Sequence, residues 1–484
     1  MSGILQELNP KSVFYYFEEI STIPRETGHT EKIREYIVRF AREHFLDYVI
    51  DTAGNIVVYK PASAGYEDHE SIILQGHIDM VCEKNYDILP NFDFATDPLK
   101  IVATDEYIFA KGTTLGADDG IAVAYMLSIL SDSGCKHPAI EAVFTVDEED
   151  GMRGALNFDA SNVKSRRMIN LDHEVEGEIL TCCAGGRRVK LLFPVTKMKK
   201  SGIRYDIVLC GLTGGHSGLE IDKGRGNAGL MLGRVLHNIT KKVNFSLAYI
   251  AGGLTDSAIP REAKAELIVD PEDINTVEDI VSEFSDIFNK EYEGIEDNIT
   301  LYGQNMGETT TVVLDVMSKK RIGFMLNTMP DGIIRMSRYS DCLVQTSLNT
   351  GIIKLKDECF EMVVNIRSMF ESEKEALSDK VRYLCEAIGG EYIVETDYPG
   401  WELNEKSDLR EIAFETYQHV FAHNPKLVGF HAGLECGVLH NKIKGLDIVS
   451  FGPQITGIHT PKEKLSIASA ARVYEYLLKV LENA

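Results

Sequence analysis

Residues 71–79 read Ser-Ile-Ile-Leu-Gln-Gly-His-Ile-Asp, an apolar run that ends on a histidine and an aspartate. The run predicts a buried β-strand. Because His77 and Asp79 are two residues apart, a strand would point both side chains to the same face. A metal-bound imidazole commonly donates its second N–H to a carboxylate, so we expect His77 to bind a metal ion and Asp79 to orient it. By itself, the pair is more typical of a turn-capping aspartate beside a buried histidine.

Four other segments carry acids or a histidine where an apolar run is expected to end. They read Gly-Ala-Asp118-Asp119-Gly, Val-Asp-Glu148-Glu149-Asp, Asn-Leu-Asp172 and Gly-Ile-His459-Thr-Pro. Alone, paired acids are more typical of a helix cap or a solvated turn. With His77, the segments supply two histidines and several carboxylates without a cysteine, a ligand set suited to a pair of hydrolytic zinc ions. The combination predicts metal-assisted attack of water on an acyl group.

The paired acids are expected to divide their roles. Asp118 is predicted to bridge two cations, while Asp119 caps or orients the helix that follows. Adjacent residues at the end of a strand point apart, so one of Glu148 and Glu149 can bind metal while the other faces the water. The acid that stays off the metal can take a proton from the water and deliver it to the leaving nitrogen.

Apolar runs typical of strands alternate with helical patterns along much of the chain. Strands are predicted at 55–59, 71–77, 139–146, 167–171 and 446–451, and helices within 11–45 (broken at Ile23-Pro24) and at 121–130 and 462–481. This order predicts an α/β fold with a mixed, largely parallel sheet flanked by helices. In such sheets, functional groups collect beyond the carboxyl ends of the strands, where the candidate ligands are expected.

The middle of the chain contains a weak internal repeat. Residues 258–269 and 351–364 both suggest strands, and each is followed by a helical stretch, at 277–292 and 374–388. We therefore predict a catalytic domain of residues 1–186 plus 401–484, interrupted by an α+β lid domain of residues 187–400 in two similar halves, 187–295 and 296–400. Such an insertion is tolerated because the entropy cost of closing a loop grows slowly with its length.

Composition narrows the functional classes. The net charge of −24 argues against nucleic acid or an anionic membrane as a partner, since both need a basic surface. Nine irregularly spaced cysteines suggest reduced thiols. The first residues lack a basic segment followed by an apolar core, and the longest apolar stretch, 120–130, is too short to span a bilayer. We expect a cytoplasmic enzyme.

The five motifs together resemble the co-catalytic zinc exopeptidases that include aminoacylase and glutamate carboxypeptidase. Longer phrases, such as Leu-Gln-Gly-His77-Ile-Asp-Met-Val, Gly-Gly-His216-Ser-Gly, Ala258-Ile-Pro-Arg-Glu-Ala and His431-Ala-Gly-Leu-Glu-Cys, resemble the aminoacyl-histidine (Xaa-His) dipeptidase branch. The resemblance runs essentially from end to end. It implies a di-zinc exopeptidase catalytic domain with two Zn²⁺ per chain, for which Mn²⁺ or Co²⁺ could substitute.

The resemblance also implies roles for single residues. One zinc ion would take His77, Asp118 and Asp172, and the other Asp118, Glu149 and His459, with Glu148 as general base and acid. His216, from the inserted domain, would stabilise the oxyanion.

Three residues are expected to contact substrate. Arg367 and the backbone near Gly433 would hold the carboxylate of the substrate's C-terminus. Where the family tends to place Asn before Ala-Ile-Pro-Arg-Glu, this chain has Asp256-Ser257. Ser257 keeps a hydroxyl but loses reach and the amide, which puts that contact with substrate in doubt.

The expected reaction is hydrolysis of unblocked dipeptides, Xaa-His (carnosine-like) peptides among them, by a zinc-bridged hydroxide. An N-acyl amino acid deacylase with the same metals is an alternative, and a metal-binding scaffold without catalysis is a rival from another class. A homodimer is compatible with this scheme. It is not required, because a doubled lid could supply within one chain the histidine that single-lid relatives take from a partner subunit.

Overall fold

The computed structural model describes residues 3–338 and 343–484. The chain forms two compact units. The first contains residues 1–183, 401–429 and 434–484, and the second contains residues 184–400 and 430–433. Residues 430–433, which the predicted division places in the catalytic domain, therefore belong to the second unit.

Helices and strands alternate through the described residues. The helices are α1 (Lys11–Ser21), α2 (Glu31–Glu43), α3 (Ala117–Ser131), α4 (Arg153–Leu156), α5 (Ala228–Thr240), α6 (Ile274–Glu291), α7 (Val316–Thr328), α8 (Glu371–Ala387), α9 (Asp408–Phe421), α10 (Glu435–Lys442) and α11 (Ile467–Asn483). The strands are β1 (Asp47–Ile50), β2 (Ile56–Lys60), β3 (Ile72–His77), β4 (Ile101–Ala103), β5 (Tyr107–Ala110), β6 (Ile140–Thr145), β7 (Arg167–Asn170), β8 (Glu178–Cys183), β9 (Gly185–Pro194), β10 (Lys197–Cys210), β11 (Gly215–His216), β12 (Ser246–Gly252), β13 (Ala258–Ile259), β14 (Ala263–Val269), β15 (Thr300–Leu314), β16 (Gly332–Met336), β17 (Val344–Leu355), β18 (Cys359–Ser368), β19 (Glu391–Tyr398), β20 (Lys426–Phe430), β21 (Asp447–Ser450), β22 (Ile455–Thr456) and β23 (Lys464–Ser466).

The first unit is built on a sheet of mixed direction, with strand order β1-β2-β6-β3-β7-β21-β8-β20. The neighbours β6, β3, β7 and β21 are parallel, whereas β1–β2, β2–β6 and β21–β8 are antiparallel pairs. The predicted mixed α/β sheet is confirmed, and its four central strands run parallel to one another. Those strands bring their carboxyl ends to one edge, as expected for a functional site.

The helix α3 lies against the central strand β3. All but two of its residues are buried, and it is apolar on every side, as expected for a helix inside a domain. Gly76 on β3 allows this approach, because a Cβ there would lie 2.8 Å from the Cβ of Ala122. The close packing places the start of α3 beside the end of β3.

Most predicted elements of the first unit are present, with shifted bounds. The N-terminal helices are separated around Ile23-Pro24, as predicted, because proline disfavours the helical conformation of the residue before it. The predicted helix at 462–481 begins later, at Ile467, since residues Lys464–Ser466 form β23 and pair with β5 and β22.

The second unit contains a nine-stranded antiparallel sheet with order β15-β10-β14-β12-β17-β18-β9-β19, in which β16 also pairs with β17. The strand pairing does not divide at residue 295. β15 follows that boundary but pairs with β10, and β9 precedes it but pairs with β18 and β19. The strands of one half are thus nested within the other. That the halves are copies of one unit stays a prediction.

Two further observations concern composition. All eight cysteines among the described residues are free thiols, while Cys342 lies outside those residues. No helix in the described part of the chain is long and apolar enough to cross a membrane.

Asn55 provides a test of how the end of β6 is held. Its buried side chain accepts a hydrogen bond from the Val146 N–H at 3.1 Å and donates to the Gly154 carbonyl at 2.9 Å. Asn55→Ala leaves the buried Val146 N–H without a partner, while the Gly154 carbonyl keeps the Asn157 N–H at 3.1 Å, so the free energy of unfolding should fall by about 1–3 kcal/mol. Urea denaturation measures the change. Asn55→Asp keeps the acceptor but sets a second carboxylate beside Asp51 Oδ2, which Asn55 Nδ2 contacts at 2.8 Å, so near neutral pH it should cost at least as much. A loss below about 0.5 kcal/mol in Asn55→Ala would contradict this account.

Candidate metal centre and substrate-binding residues

The candidate ligands of the first unit come from strand ends, from the start of α3 and from the turn that follows β22. His77 ends β3, Asp172 lies two residues after β7, and the Glu148-Glu149 pair follows β6. The expectation that every candidate ligand follows a strand is wrong for Asp118, whereas His459 comes three residues after β22, as Glu148 does after β6. Asp118 lies in the first turn of α3, and His459 lies in a turn between β22 and β23.

The carboxylate of Asp118 is shared between two groups of side chains. Its Oδ1 lies 3.0 Å from His77 Nε2, and its Oδ2 lies 3.2 Å from His459 Nε2. His77 Nε2 is also 3.6 Å from Asp172 Oδ1, and His459 Nε2 is 3.0 Å from Glu149 Oε1. Within each group, ligand atoms lie within 4.8 Å of one another. We call these the His77 group (His77, Asp118, Asp172) and the His459 group (Asp118, Glu149, His459).

The charges of this centre match bound cations. Burial raises the pKa of Asp172 to about 6, and burial also raises the pKa of Glu148 well above its ordinary value. The carboxylates of Asp118 and Glu149 raise the pKa of His459 to about 11. These shifts reflect buried acids that outnumber the nearby bases. Imidazole and carboxylate donors without thiolate suit Zn²⁺, Mn²⁺ or Co²⁺, so the residues present fit a pair of divalent ions.

Asp79 holds the backbone that carries the two glutamates. Its Oδ1 accepts from the Glu148 N–H at 3.1 Å, and its Oδ2 accepts from the Glu149 N–H at 3.3 Å and from Thr27 Oγ1 at 3.0 Å. Its Oδ1 is 3.5 Å from His77 Nδ1, which has no hydrogen-bond partner among the described residues. Asp79 therefore orients Glu148 and Glu149 more directly than it orients His77.

Glu148 lies beside the ligands without belonging to either group. A third set of nearby ligand atoms joins Glu148 to His77 and Glu149 within 4.8 Å. Glu148 thus lies close both to His77 and to Glu149 of the His459 group. The role of proton-transferring acid expected from the sequence stays a prediction for Glu148.

In the second unit, Arg367 on β18 is a buried cation. Its Nη1 donates to the Tyr398 hydroxyl at 3.1 Å, and its Nε has no partner in the described part of the chain. Tyr398 in turn packs against Gly433, where a Cβ would lie 2.5 Å from its ring. A guanidinium with an unused N–H beside a hydroxyl donor can bind a carboxylate.

Two histidines near Arg367 are held in the neutral form. Burial and then the charge of Arg367 lower the pKa of His216 to about 4 and that of His431 to about 3. His216 Nδ1 accepts the N–H groups of Gly218 and Leu219 at 3.2 and 2.9 Å, which assigns its proton to Nε2. His216 therefore presents an N–H donor. His431 Nε2 lies 2.8 Å from Ser347 Oγ.

Ser257 is exposed and lines a cavity of about 490 Å³ together with His216. Its hydroxyl lies 3.1 Å from Thr255 Oγ1, and its carbonyl accepts the Ser217 N–H at 2.8 Å. The neighbouring Asp256 accepts from Asn365 Nδ2 at 3.1 Å. Ser257 thus lies beside His216, but its hydroxyl is paired within its own loop.

Residues 73–483 match the family model described as peptidase family M20/M25/M40. The chain belongs to this peptidase family. It is 35% identical over 483 residues to the cytosol non-specific dipeptidase of Escherichia coli (strain K12), covering 99% of both chains. It also matches the crystal structure of an aminoacylhistidine dipeptidase from Vibrio alginolyticus with a TM-score of 0.89 and 34% identity, covering 99% of this chain and 97% of that one. An aminopeptidase structure from Bacillus cereus, with a TM-score of 0.57 and 16% identity over 98% of this chain and 99% of that one, shares the fold.

A buried polar chain lies beneath the ligands of this peptidase. Ser450 Oγ donates to Asn170 Oδ1 at 2.5 Å, Asn170 Nδ2 to Gln75 Oε1 at 2.7 Å, and Gln75 Nε2 to Glu435 Oε2 at 2.6 Å. Thr145 Oγ1 also donates to Glu435 Oε2 at 2.6 Å. One residue from each central parallel strand therefore contributes to a chain that ends on a fully buried carboxyl group.

The sequence analysis did not identify several of these supporting residues. Glu435 and His431 occur in a quoted motif, but no role was assigned to either. Arg25 and Glu463 also went unnoticed, although both contact the segment that carries Asp118. The available signal was weak: Arg25 follows a helix-breaking proline, and Glu463 lies four residues after His459.

The protonation of His216 can be measured directly. From pH 8 down to about pH 5, NMR of ¹⁵N-labelled histidine should show neutral His216 with its proton on Nε2, because its pKa of about 4 lies below that range. His216→Ala assigns the signal. Arg367→Met removes a nearby cation and should raise the pKa of His216. A cationic His216 at pH 6 in the wild type would contradict the assignment.

Proposed function

We propose that this peptidase is a metal-dependent dipeptidase that hydrolyses unblocked dipeptides, Xaa-His peptides among them. The observation that carries the proposal is the Asp118 carboxylate, which directs one oxygen to the His77 group and the other to the His459 group. Glu148 beside these groups and the similarity to two proteins named as dipeptidases support it.

The His77 group and the His459 group would each hold one divalent ion, and we propose Zn²⁺ in both, with Mn²⁺ or Co²⁺ as substitutes. Such ions supply Lewis acidity to the scissile carbonyl and lower the pKa of the attacking water. The protein's own contribution is to hold the donors in place before substrate arrives. Asp118 does this for both ions at once, so its position sets the spacing of the pair.

Glu148 is proposed as the general base and acid. A buried carboxyl group with a raised pKa accepts a proton from the attacking water and returns it readily to the leaving nitrogen. Asp79 assists by binding the Glu148 N–H, which keeps the side chain on the side of the ligands.

The second unit is proposed to recognise the substrate. Nε2–H of neutral His216 would donate to the oxyanion that develops on the scissile carbonyl. Arg367, with Tyr398 beside it and the backbone near Gly433, would bind the free carboxylate of the C-terminal residue. Ser257 would contact substrate only after releasing its present hydroxyl partner.

The deacylase and scaffold alternatives have no particular support from the relatives. A cytoplasmic location agrees with the name of the Escherichia coli relative and is part of this proposal. Homodimer formation stays a prediction that sedimentation analysis can test.

A substrate panel with metal removal tests the function. Purified protein should cleave free dipeptides, including Xaa-His peptides, faster than their C-terminal amides and faster than N-acyl amino acids, because Arg367 requires a carboxylate. Dialysis against a chelator should abolish turnover, and Zn²⁺, Mn²⁺ or Co²⁺ should restore it. Chromatographic detection of the released amino acids measures each rate.

Arg367→Lys serves as the matched variant for the panel. It keeps the charge but loses the planar pair of N–H donors, so KM for free dipeptides should rise and the discrimination against amides should fall. Faster cleavage of N-acyl amino acids would favour the deacylase. If no dipeptide is cleaved after metal is added back, the alternative of a metal-binding scaffold without catalysis would be favoured.

Glu148→Gln tests the proton-transfer role. The substitution keeps the shape but removes the base, so kcat should fall by at least about 10²–10⁴-fold. The metal content, measured by mass spectrometry, should stay at the wild-type value because Glu148 is in neither ligand group. Glu149→Gln is the control and should lose metal. Near-native turnover in Glu148→Gln would refute the role, and loss of metal there would make Glu148 a ligand.

A further inference from the structure

The carboxylate of Glu463 accepts hydrogen bonds from four successive backbone N–H groups at the start of α3. Glu463 Oε2 accepts the N–H groups of Leu115 and Gly116 at 2.7 and 2.9 Å. Its Oε1 accepts those of Ala117 and Asp118 at 2.7 and 3.3 Å. Glu463 is 2% exposed, so these bonds take the place of solvent at a helix N-terminus. The backbone of the shared aspartate is therefore fixed by a side chain that binds neither ion.

Arg25 holds the carbonyl side of the same segment. Its Nη2 donates to the Gly116 carbonyl, and its Nη1 donates to the carbonyls of Ile78 and Asp79 at 3.1 Å each. A Cβ at Gly116 would lie 2.5 Å from this guanidinium, which explains why glycine stands there. Around Gly116, the buried cation Arg25 thus binds a backbone carbonyl, and the buried anion Glu463 binds backbone N–H groups.

Glu463 also belongs to the segment that carries His459. Its N–H donates to the Thr460 carbonyl at 3.1 Å, which closes the turn after His459. His459 itself has a φ of +58°, a left-handed conformation that side chains rarely adopt without support. The same few residues therefore supply one ligand of the His459 group and secure another, Asp118.

The His77 group is held differently. His77 and Asp172 lie at or just beyond the ends of the paired strands β3 and β7, so the ladder of sheet hydrogen bonds positions them. Loss of Glu463 would disturb only Asp118 in this group. In the His459 group it would disturb two of three ligands.

We propose that Glu463 is a positioning residue for the shared aspartate and that the ion of the His459 group depends on it more than the ion of the His77 group does. The inference rests on the proposed function, because it presumes an ion in each group. Supporting side chains of metal ligands typically change metal affinity by about 10–100-fold when they are replaced.

Glu463→Gln is the informative substitution. It keeps the shape and one acceptor oxygen, but it removes the charge and turns an NH₂ group toward two backbone N–H groups. Titration of the metal-free variant with Zn²⁺, followed by calorimetry, should show one ion bound near the wild-type affinity and the other about 10–100-fold more weakly. At saturating Zn²⁺, dipeptide turnover should recover toward the wild-type kcat, since no group that touches substrate has changed.

Glu141→Gln is the matched control. Glu141 is another buried carboxylate of the first unit, near the start of β6, and it accepts the N–H groups of Lys164 and Ser165 at 2.9–3.1 Å. The control should bind both ions as the wild type does, even if its melting temperature falls. Two full-affinity ions in Glu463→Gln, or equal weakening in both variants, would overturn the proposal.

A measurement on the wild type covers the case in which Glu463→Gln does not fold. The amides of residues 115–118 should exchange slowly with solvent in the metal-free wild-type protein, because Glu463 binds them without any ion. Rapid exchange there would overturn the inference. If the inference about Glu463 alone is wrong, the wild-type protein will still hydrolyse dipeptides and bind two ions. If the proposed function is wrong, the wild-type protein will neither hydrolyse dipeptides nor bind two ions.

Discussion

The fold of the first unit must keep several carboxylates together in a place that water barely reaches. Like charges repel strongly when buried, and removing each from water adds a further cost. The structure meets this constraint with two imidazoles, with backbone N–H groups directed at Asp79, and with the helix start at Asp118. The remaining negative charge is what a pair of divalent ions would neutralise. Metal binding and local stability are therefore coupled in this unit.

In the second unit, the buried charge is positive instead of negative. There burial, and then the charge of the Arg367 guanidinium, lowers the pKa of His216 and of His431, so both histidines are neutral. Neutrality lets His216 donate a hydrogen bond without carrying a charge of its own. Each unit thus has an unbalanced charge of one sign, negative beside the ligands and positive beside Arg367.

Short sequence patterns predicted those helices and strands whose bounds depend on interactions between residues close in sequence. The run at 71–77 and the proline break at residue 24 identified β3 and the gap between α1 and α2, because apolar patterning and the constraint of proline act over a few residues. The candidate ligands that follow strands were located in the chain for the same reason, and their metal-binding roles stay predictions. Asp118 was expected to end a strand-like run but lies in the first turn of α3, since its neighbours in sequence do not show which element approaches it.

Features that depend on contacts between residues far apart in the chain could not be predicted from the sequence. Glu463 meets Asp118 across more than 340 residues of chain, and nothing near either residue records that meeting. The nesting of β15 with β10 and of β9 with β18 was missed likewise, because a repeat in sequence does not state which strands share hydrogen bonds. The roles of His431 and Tyr398 emerge only when the sheet brings them to Arg367.

The two histidine ligands differ in their access to water. The side chain of His77 is 1% exposed, whereas that of His459 is 47% exposed and extends from a turn. An ion held by His459 would be more open to exchange with solvent than one held by His77 at the end of β3. Two ions held there should therefore differ in residence time, with the faster exchange beside His459.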